Sequence, residues 1–239
     1  MTVKPNAQYN RAAPESLSAR VAARVRNRMF SYFMAEFHPN RSESILDIGV
    51  TSDQGYGHSN YFELLYPFKD KIVAGGLDDA SFLEDSYPGL KFVRCSALKL
   101  PFADQTFDLV HSAAVLEHVG SFEHQREMIS ECLRVARRGI FLTTPNRWFP
   151  VELHTQLPLL HWLPTPVYRG LFSKIGFEFF AREENLNLLS ARRLRGAASG
   201  RRDWSFRIGS ARLFRLTSNL LLIGHSTMSQ SIGGSTRVL

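Results

Sequence analysis

The sequence predicts an α/β protein built on a doubly wound, mostly parallel sheet. Three observations predict it. Short apolar runs rich in Ile, Leu and Val recur between residues 45 and 144. Each ends at a glycine, an acid or a small polar residue. Segments of helical period lie between them, and such alternation places helices on both faces of a parallel sheet.

The first run is Ile45-Leu46-Asp47-Ile48-Gly49-Val50. It reads as a buried strand with Asp47 near its carboxyl end, where open α/β sheets bind their ligands. Thr51 to His58 reads as a loop. Asn60 followed by Glu63 is a helix-start signal. Further strands are expected at Ile72–Leu77, Phe92–Cys95, Phe107–Ser112 and Ile140–Thr144. Short helical segments are expected near Ala80–Ser86 and from Phe122 to Arg137, the latter ended by Gly139 in the manner of a C-cap. A helix is expected near Glu184–Arg195. Ser205–Phe214 and Ser218–Ile223 read as a closing strand pair.

Upstream of the sheet, Leu17, Val21, Val25, Met29, Phe33 and Phe37 recur every four residues. A helical cap over 14–38 is expected, packed across the sheet and the ligand cleft. Its arginines, Arg20, Arg24, Arg26 and Arg28, lie off this stripe, and an anionic membrane is an alternative partner for them. Residues 1–13 show no period and are expected to be disordered. Residues 14–239 are expected to form one domain. The segment 145–181, dense in proline and aromatics, is too apolar for disorder. It reads as an insertion over the sheet's carboxyl edge, a lid on the substrate pocket.

Composition narrows the partners. The chain has 239 residues, is 44% hydrophobic and carries a net charge of +7. That excess favours anionic partners, and eight arginines fall between Arg192 and Arg215. No run approaches the about 18 apolar residues of a membrane span. The N-terminus lacks a signal-peptide core. Cys95 and Cys132 read as buried thiols. A cytoplasmic enzyme is expected.

The series of runs resembles a known family. Leu100-Pro101-Phe102-Ala103-Asp104-Gln105-Thr106-Phe107-Asp108-Leu109-Val110, followed by Leu116-Glu117-His118, is the specific part. It is similar to the class I S-adenosylmethionine-dependent methyltransferases, in the type 11 group, over about Ser44 to Asn146. The resemblance implies a Rossmann-like sheet closed by an antiparallel strand, and S-adenosyl-L-methionine as cofactor. It implies that Asp47 and Gly49 begin the loop around the methionyl and ribose portion, and that Asp78, with Asp79 as second choice, binds the ribose. Ser96 and Ala97 stand where the family places an Asp-Ala pair beside the adenine. Ser112 and Ala113 would line the methyl channel.

One departure is plain. The family carries further glycines after Gly49, whereas this chain reads Gly49-Val50-Thr51-Ser52-Asp53, with Gly55 and Gly57 beyond. A non-glycine residue at positive φ costs about 1–2 kcal/mol, so the loop must take another path.

Glu117-His118 resembles the pair of the quinone-biosynthesis O-methyltransferases. His118 would act as general base, with Glu117 orienting it; a structural role in packing the next helix is the alternative. Arg147, Trp148 and His154 are candidate substrate contacts. No metal site is expected, because His154 and His161 are distant in sequence and other ligand types are few. The amino-group motif of nucleic-acid methyltransferases is absent. The expected reaction is methyl transfer to a small or lipid-like acceptor, most simply at oxygen. A non-catalytic relative with a degenerate cofactor site and an RNA-directed enzyme are the competing readings.

Overall fold

Seven strands form one sheet in the order β3-β2-β1-β4-β5-β7-β6 in the computed structural model, which describes residues 16–55 and 58–228. The strands are β1 (Ile45–Ile48), β2 (Ile72–Gly76), β3 (Lys91–Arg94), β4 (Phe107–Ala113), β5 (Ala136–Pro145), β6 (Trp204–Leu213) and β7 (Leu216–Ser226). The pairings among β1 to β5 are parallel, and β7 runs antiparallel to both β5 and β6. The expected fold is therefore observed, closing strand included. Residues 1–13, Gly57 and the tail past 228 lie outside the described residues.

Helices cover both faces. On one, α4 (Phe122–Val135) and α7 (Ala191–Ala198) bury Met128, Cys132 and Leu194 against Leu46, Val110 and Ile140. On the other, α1 (Leu17–Phe37), α2 (Tyr61–Leu65) and α3 (Phe82–Ser86) bury Phe33, Phe37, Phe62 and Leu83 against Ile45, Leu109 and Phe141. The successive strand residues Ile45 and Leu46 thus feed opposite cores, as the period of two requires. Ser16 caps α1 by accepting from the amide of Ala19 at 3.2 Å. The ring of Phe33 has no exposed surface, and Phe33→Ala at such a site costs about 3–5 kcal/mol.

Three local expectations are corrected. Gly139 does not end α4; the helix stops at Val135, and Gly139 lies within β5. A Cβ there would meet the Phe37 ring at 2.2 Å, so the glycine makes room for α1. Asn60 gives α2 no side-chain cap. Its amide group instead accepts from the Thr51 amide at 2.9 Å and donates to the Thr51 carbonyl at 3.0 Å, which ties down the loop after β1. The third helix boundary also moves. Ser190 caps α7 in place of a start at Glu184, and Leu189 before it bridges to Asn146.

The family-like signature has a structural basis. Arg134 of α4 donates to Asp104 at 2.9 Å and to the carbonyls of Phe102 and Leu100. The Asp108 carboxylate accepts from the Ser44 amide and hydroxyl and from Arg137. Phe102 meets Phe107 edge to face at 4.9 Å. The signature's two acids therefore fasten the turn before β4 and touch no ligand cleft.

The segment after β5 folds into α5 (Thr165–Lys174) and α6 (Glu178–Ala181) around a small cluster of Tyr168, Phe172, Phe180, Leu186 and Leu188. Its outer side exposes Trp148, Leu153, Leu159, Trp162 and Val167. No helix among the described residues is long and apolar enough to cross a membrane.

Candidate active site

A cavity of about 280 Å³ opens at the carboxyl ends of β1, β2 and β4. Its floor is the turn Ile48–Thr51; Gly76 and Leu77 flank it, Cys95 to Leu98 form one side, and Ala113 to Val115 with His118 form the other. Arg26 from α1 and His154 from the segment after β5 complete it. A groove of similar size, about 310 Å³, lies between α4 and α7, away from the strand ends, and gathers no comparable chemistry.

Two glycines clear the floor. Gly49 has φ +96°, and a Cβ there would strike Val115 at 2.0 Å. A Cβ on Gly76 would meet the Val50 carbonyl oxygen at 2.7 Å. The amides of Gly49 and Val50 both turn to the Gly75 carbonyl, at 2.7 and 3.2 Å. Beyond Gly49 the loop needs no further glycine. Among its described residues only Gly49 has positive φ, and side chains close the turns in place of glycines. The Asp53 amide donates to the Thr51 hydroxyl, and the Gly55 amide donates to the Asp53 carboxylate. Across the cavity, Ala114 has φ +57° and is held by its amide bond to Thr143.

The expected cofactor residues divide. Gly49, Ser96, Ala97 and Ala113 line the cavity. Ser112 does not; its hydroxyl donates to the Ile48 carbonyl at 2.8 Å and pins β4 to β1. Asp78 is half-buried and off the lining, and exposed Asp79 accepts from the Ser81 amide at 3.0 Å. Gly76, which ends β2, and Leu77 just beyond it are the residues there that reach the cavity. Asp47 points away from it, into a buried cluster. Its carboxylate lies 2.5 Å from Nδ1 of His111, whose Nε2 meets the Tyr61 hydroxyl at 3.1 Å. Burial raises Asp47 to about 7, with Glu63 partly opposing, and raises Glu63 well above its ordinary value. Burial lowers His111 to about 3.

A second cluster faces the cavity. His118 donates from Nδ1 to the Asn185 carbonyl at 2.7 Å. His154 pairs through Nδ1 with Glu152 at 2.7 Å. The rings of His118 and His154 stand edge to face, 4.8 Å apart. Glu117 is fully buried, and its Oε2 accepts from Thr144 at 2.9 Å. Burial pushes Glu117 up to about 7 and His118 down to about 3. Burial also opposes charge on Glu152 and His154, yet their mutual attraction wins. Glu152, which also accepts from the amides of His154 and Thr155, is held at about 2, and His154 lies above its ordinary value.

Of the expected substrate contacts, only His154 reaches the cavity. Arg147 packs against Trp148 and Tyr168 and donates to the Leu163 carbonyl. Trp148 is exposed beside Trp162. His161 does not line the cavity; its Nε2 bonds the Phe149 carbonyl. Sequence reasoning missed Arg26, which it grouped with the solvent-facing arginines; Arg28 of the same group bonds the Arg212 carbonyl.

A family model for the methyltransferase domain of the type 11 group matches residues 53–143. Residues 53–143 thus form a methyltransferase domain. Solved structures share the fold. A Pyrococcus horikoshii protein aligns over 92% of this chain and 95% of its own, with 14% identity and a TM-score of 0.57. Magnesium protoporphyrin IX methyltransferase from Synechocystis, with bound S-adenosylhomocysteine, aligns over 92% of this chain and 91% of its own, at 15% identity and TM-score 0.54. A Galdieria sulphuraria protein described as a putative sarcosine dimethylglycine methyltransferase aligns over 91% and 89%, at 13% identity and TM-score 0.56. No curated protein matches the chain. The methyltransferase's cofactor is S-adenosylmethionine, and the cavity fits it in two respects. The glycine-cleared floor admits a ligand close to the backbone, and the apolar side at Leu77 and Ala97 suits an adenine. The fit differs in one respect, since no acid of β2 lines the described cavity.

Proposed function

We propose that this methyltransferase acts on the hydroxyl of an apolar, lipid-like acceptor. The carrying observation is the pairing of two imidazoles, His118 and His154, on the cavity wall with an exposed apolar surface on the segment that supplies one of them. Trp148, Leu153, Leu159, Trp162 and Val167 expose between 40% and 54% of their surface on the segment that supplies His154. Such a surface suits a long apolar substrate better than a small hydrophilic one.

When bound, the cofactor supplies a methyl group on a positively charged sulfur. Gly49, Ser96, Ala97 and Ala113 would hold it, with Arg26 on the cavity lining to face its carboxylate. Positioning is the protein's main contribution. His118, kept neutral by burial, presents no positive charge to a sulfonium. A hydroxyl acceptor must lose its proton as the new bond forms, and the histidine cluster is the base beside the cavity. Within it His118 is the neutral imidazole with a lone pair to take that proton, while Glu152 favours the charged form of His154. The segment 145–181 serves as the lid, and its apolar residues exclude water from the reacting groups.

The test is transfer of labelled methyl to a panel of acceptors matched in chain length, bearing a hydroxyl or an amine. Turnover of the hydroxyl series, rising with chain length, is expected, with the product identified by mass spectrometry as a methyl ether. Turnover confined to amines, or to short hydrophilic acceptors, would overturn the reading.

A further inference from the structure

We infer that Glu117, His118 and His154 form a site for a divalent first-row transition cation at the acceptor end of the cavity. This rests on the reading of that end as the place where a hydroxyl is activated. One ligand atom from each of the three residues lies within 4.8 Å of the others. They come from two separate places: the turn after β4 gives Glu117 and His118, and the segment after β5 gives His154. Sequence spacing alone does not reveal such a set.

Four observations point to a cation and not merely to a polar cluster. First, Oε1 of Glu117 is buried and has no hydrogen-bond partner. A buried carboxylate oxygen left without a donor is costly. Second, the bond from Nδ1 of His118 to the Asn185 carbonyl fixes a tautomer in which Nε2 carries the lone pair. That Nε2 faces Oε1 of Glu117 at 3.8 Å, and with Glu117 ionised these are two acceptors facing each other. A cation between them turns a repulsion into two bonds. Third, His154 gives its Nδ1 to Glu152, which leaves Nε2 as its ligand atom. A carboxylate behind a histidine is the support that metal-bound imidazoles carry, since it fixes the ring and raises its basicity. Fourth, Thr144 holds the other oxygen of Glu117, so the carboxylate has one oxygen anchored and one to give.

The donor set is two imidazoles and one carboxylate. It suits zinc, iron or manganese better than magnesium or calcium, which prefer oxygen alone. Three protein ligands leave a position open, as catalytic sites require. His118 and His154 both line the cavity, so that position faces the acceptor. A cation held there would acidify a coordinated hydroxyl, which would give its proton to water as it binds, and the imidazoles would serve as ligands in place of the base.

The experiment uses the full chain, stripped with chelator and titrated with Co(II), Zn(II) or Mn(II) alone. Saturable one-to-one binding is expected, with visible Co(II) absorption in which nitrogen ligands are evident. Glu117→Gln and His154→Gln should each weaken affinity at least tenfold, and Glu152→Gln should weaken it by about 10–100-fold as a supporting residue. His161→Gln should leave it unchanged. Each variant's S-adenosylhomocysteine affinity reports whether it folds. If Glu117→Gln fails to fold, metal-dependent heat stabilisation of the unaltered chain and its loss in His154→Gln carry the same test. Absence of saturable binding in the unaltered chain overturns the inference, as does binding that survives in every folded ligand variant. Cofactor binding with chelator-resistant transfer would sink the metal site and leave the methyltransferase reading standing. Failure to bind S-adenosylhomocysteine at all would count against that reading instead.

Discussion

Two clusters of histidine and carboxylate occupy this molecule, and they differ in almost every respect but composition. In the inner one, Asp47, Glu63, His111 and Tyr61 lie behind β1 and β4. Phe62 stacks on the His111 ring at 4.2 Å, and Phe33 and Phe141 close the sides. In the outer one, Glu152 and His154 form an ion pair beside Glu117 and His118, open to the cavity. Both are deeply buried, yet Asp47 is raised to about 7 and Glu152 is held at about 2. Donors explain the contrast. Glu152 accepts from two backbone amides and a ring, whereas Asp47 has one ring beside it and the neighbouring Glu63 oxygens meet no N–H or O–H donor. Asp47 and Glu63 can bond each other only while one keeps its proton. Burial alone therefore does not decide whether a carboxyl is charged; the donors facing it do.

The same substitution in each cluster gives the largest expected contrast. Glu152→Gln removes the charge from a buried pair and should cost about 3–5 kcal/mol in urea unfolding. Glu63→Gln replaces a carboxyl that is already neutral and should cost about 1 kcal/mol or less at pH 7. Equal costs would break the comparison.

pH sharpens it. The folded-state value of Asp47 lies above its unfolded value, so the folded chain holds a proton that the unfolded chain has lost. That makes stability fall as pH rises from about 4 to about 7 and then level off, by at most about 4 kcal/mol. In Glu63→Gln the new amide can donate to ionised Asp47 and draw its value down. The difference in unfolding free energy between the two chains should therefore narrow or reverse as pH rises through this window. A difference independent of pH between 4 and 8 would show that the inner carboxyls share no proton.

The smallest expected effects concern the cofactor and separate cavity residues from their neighbours. Arg26→Ala should weaken S-adenosylhomocysteine binding about tenfold, the worth of one charge-assisted bond. Arg24→Ala, on the exposed side of α1, and Asp78→Ala, off the lining, should each change it less than about twofold. Calorimetry reads all three. A tenfold loss in Asp78→Ala would restore that acid to the ribose.

The sheet was legible because strand order follows from short apolar runs with helices between them. Gly49 was legible too, since the strand must turn there at positive φ. The outer cluster was only half legible. Glu117 and His118 adjoin in sequence, but Glu152 and His154 join them only through the path of the chain after β5, which no local pattern encodes. Glu63 left a trace, a lone acid in Tyr61-Phe62-Glu63-Leu64-Leu65, that reads equally as a capping residue. Arg26 left none, because a charge at the edge of an apolar stripe looks the same whether it faces water or a ligand.

Gly139 and the ring it admits also govern something distant. Phe37 seats α1 on the sheet, and Phe33 seats it again one turn earlier. Arg26 lies 7 and 11 residues before these anchors, spacings close to whole numbers of helical turns, so all three share an azimuth. The guanidinium reaches the cavity because of that phase. One residue inserted between Arg26 and Phe33 would leave the anchors seated and rotate the arginine by about 100° about the helix axis. In this enzyme the length of a helix is thereby a dial for the charge beside the cavity, set by a ring lying on a bare backbone three turns away.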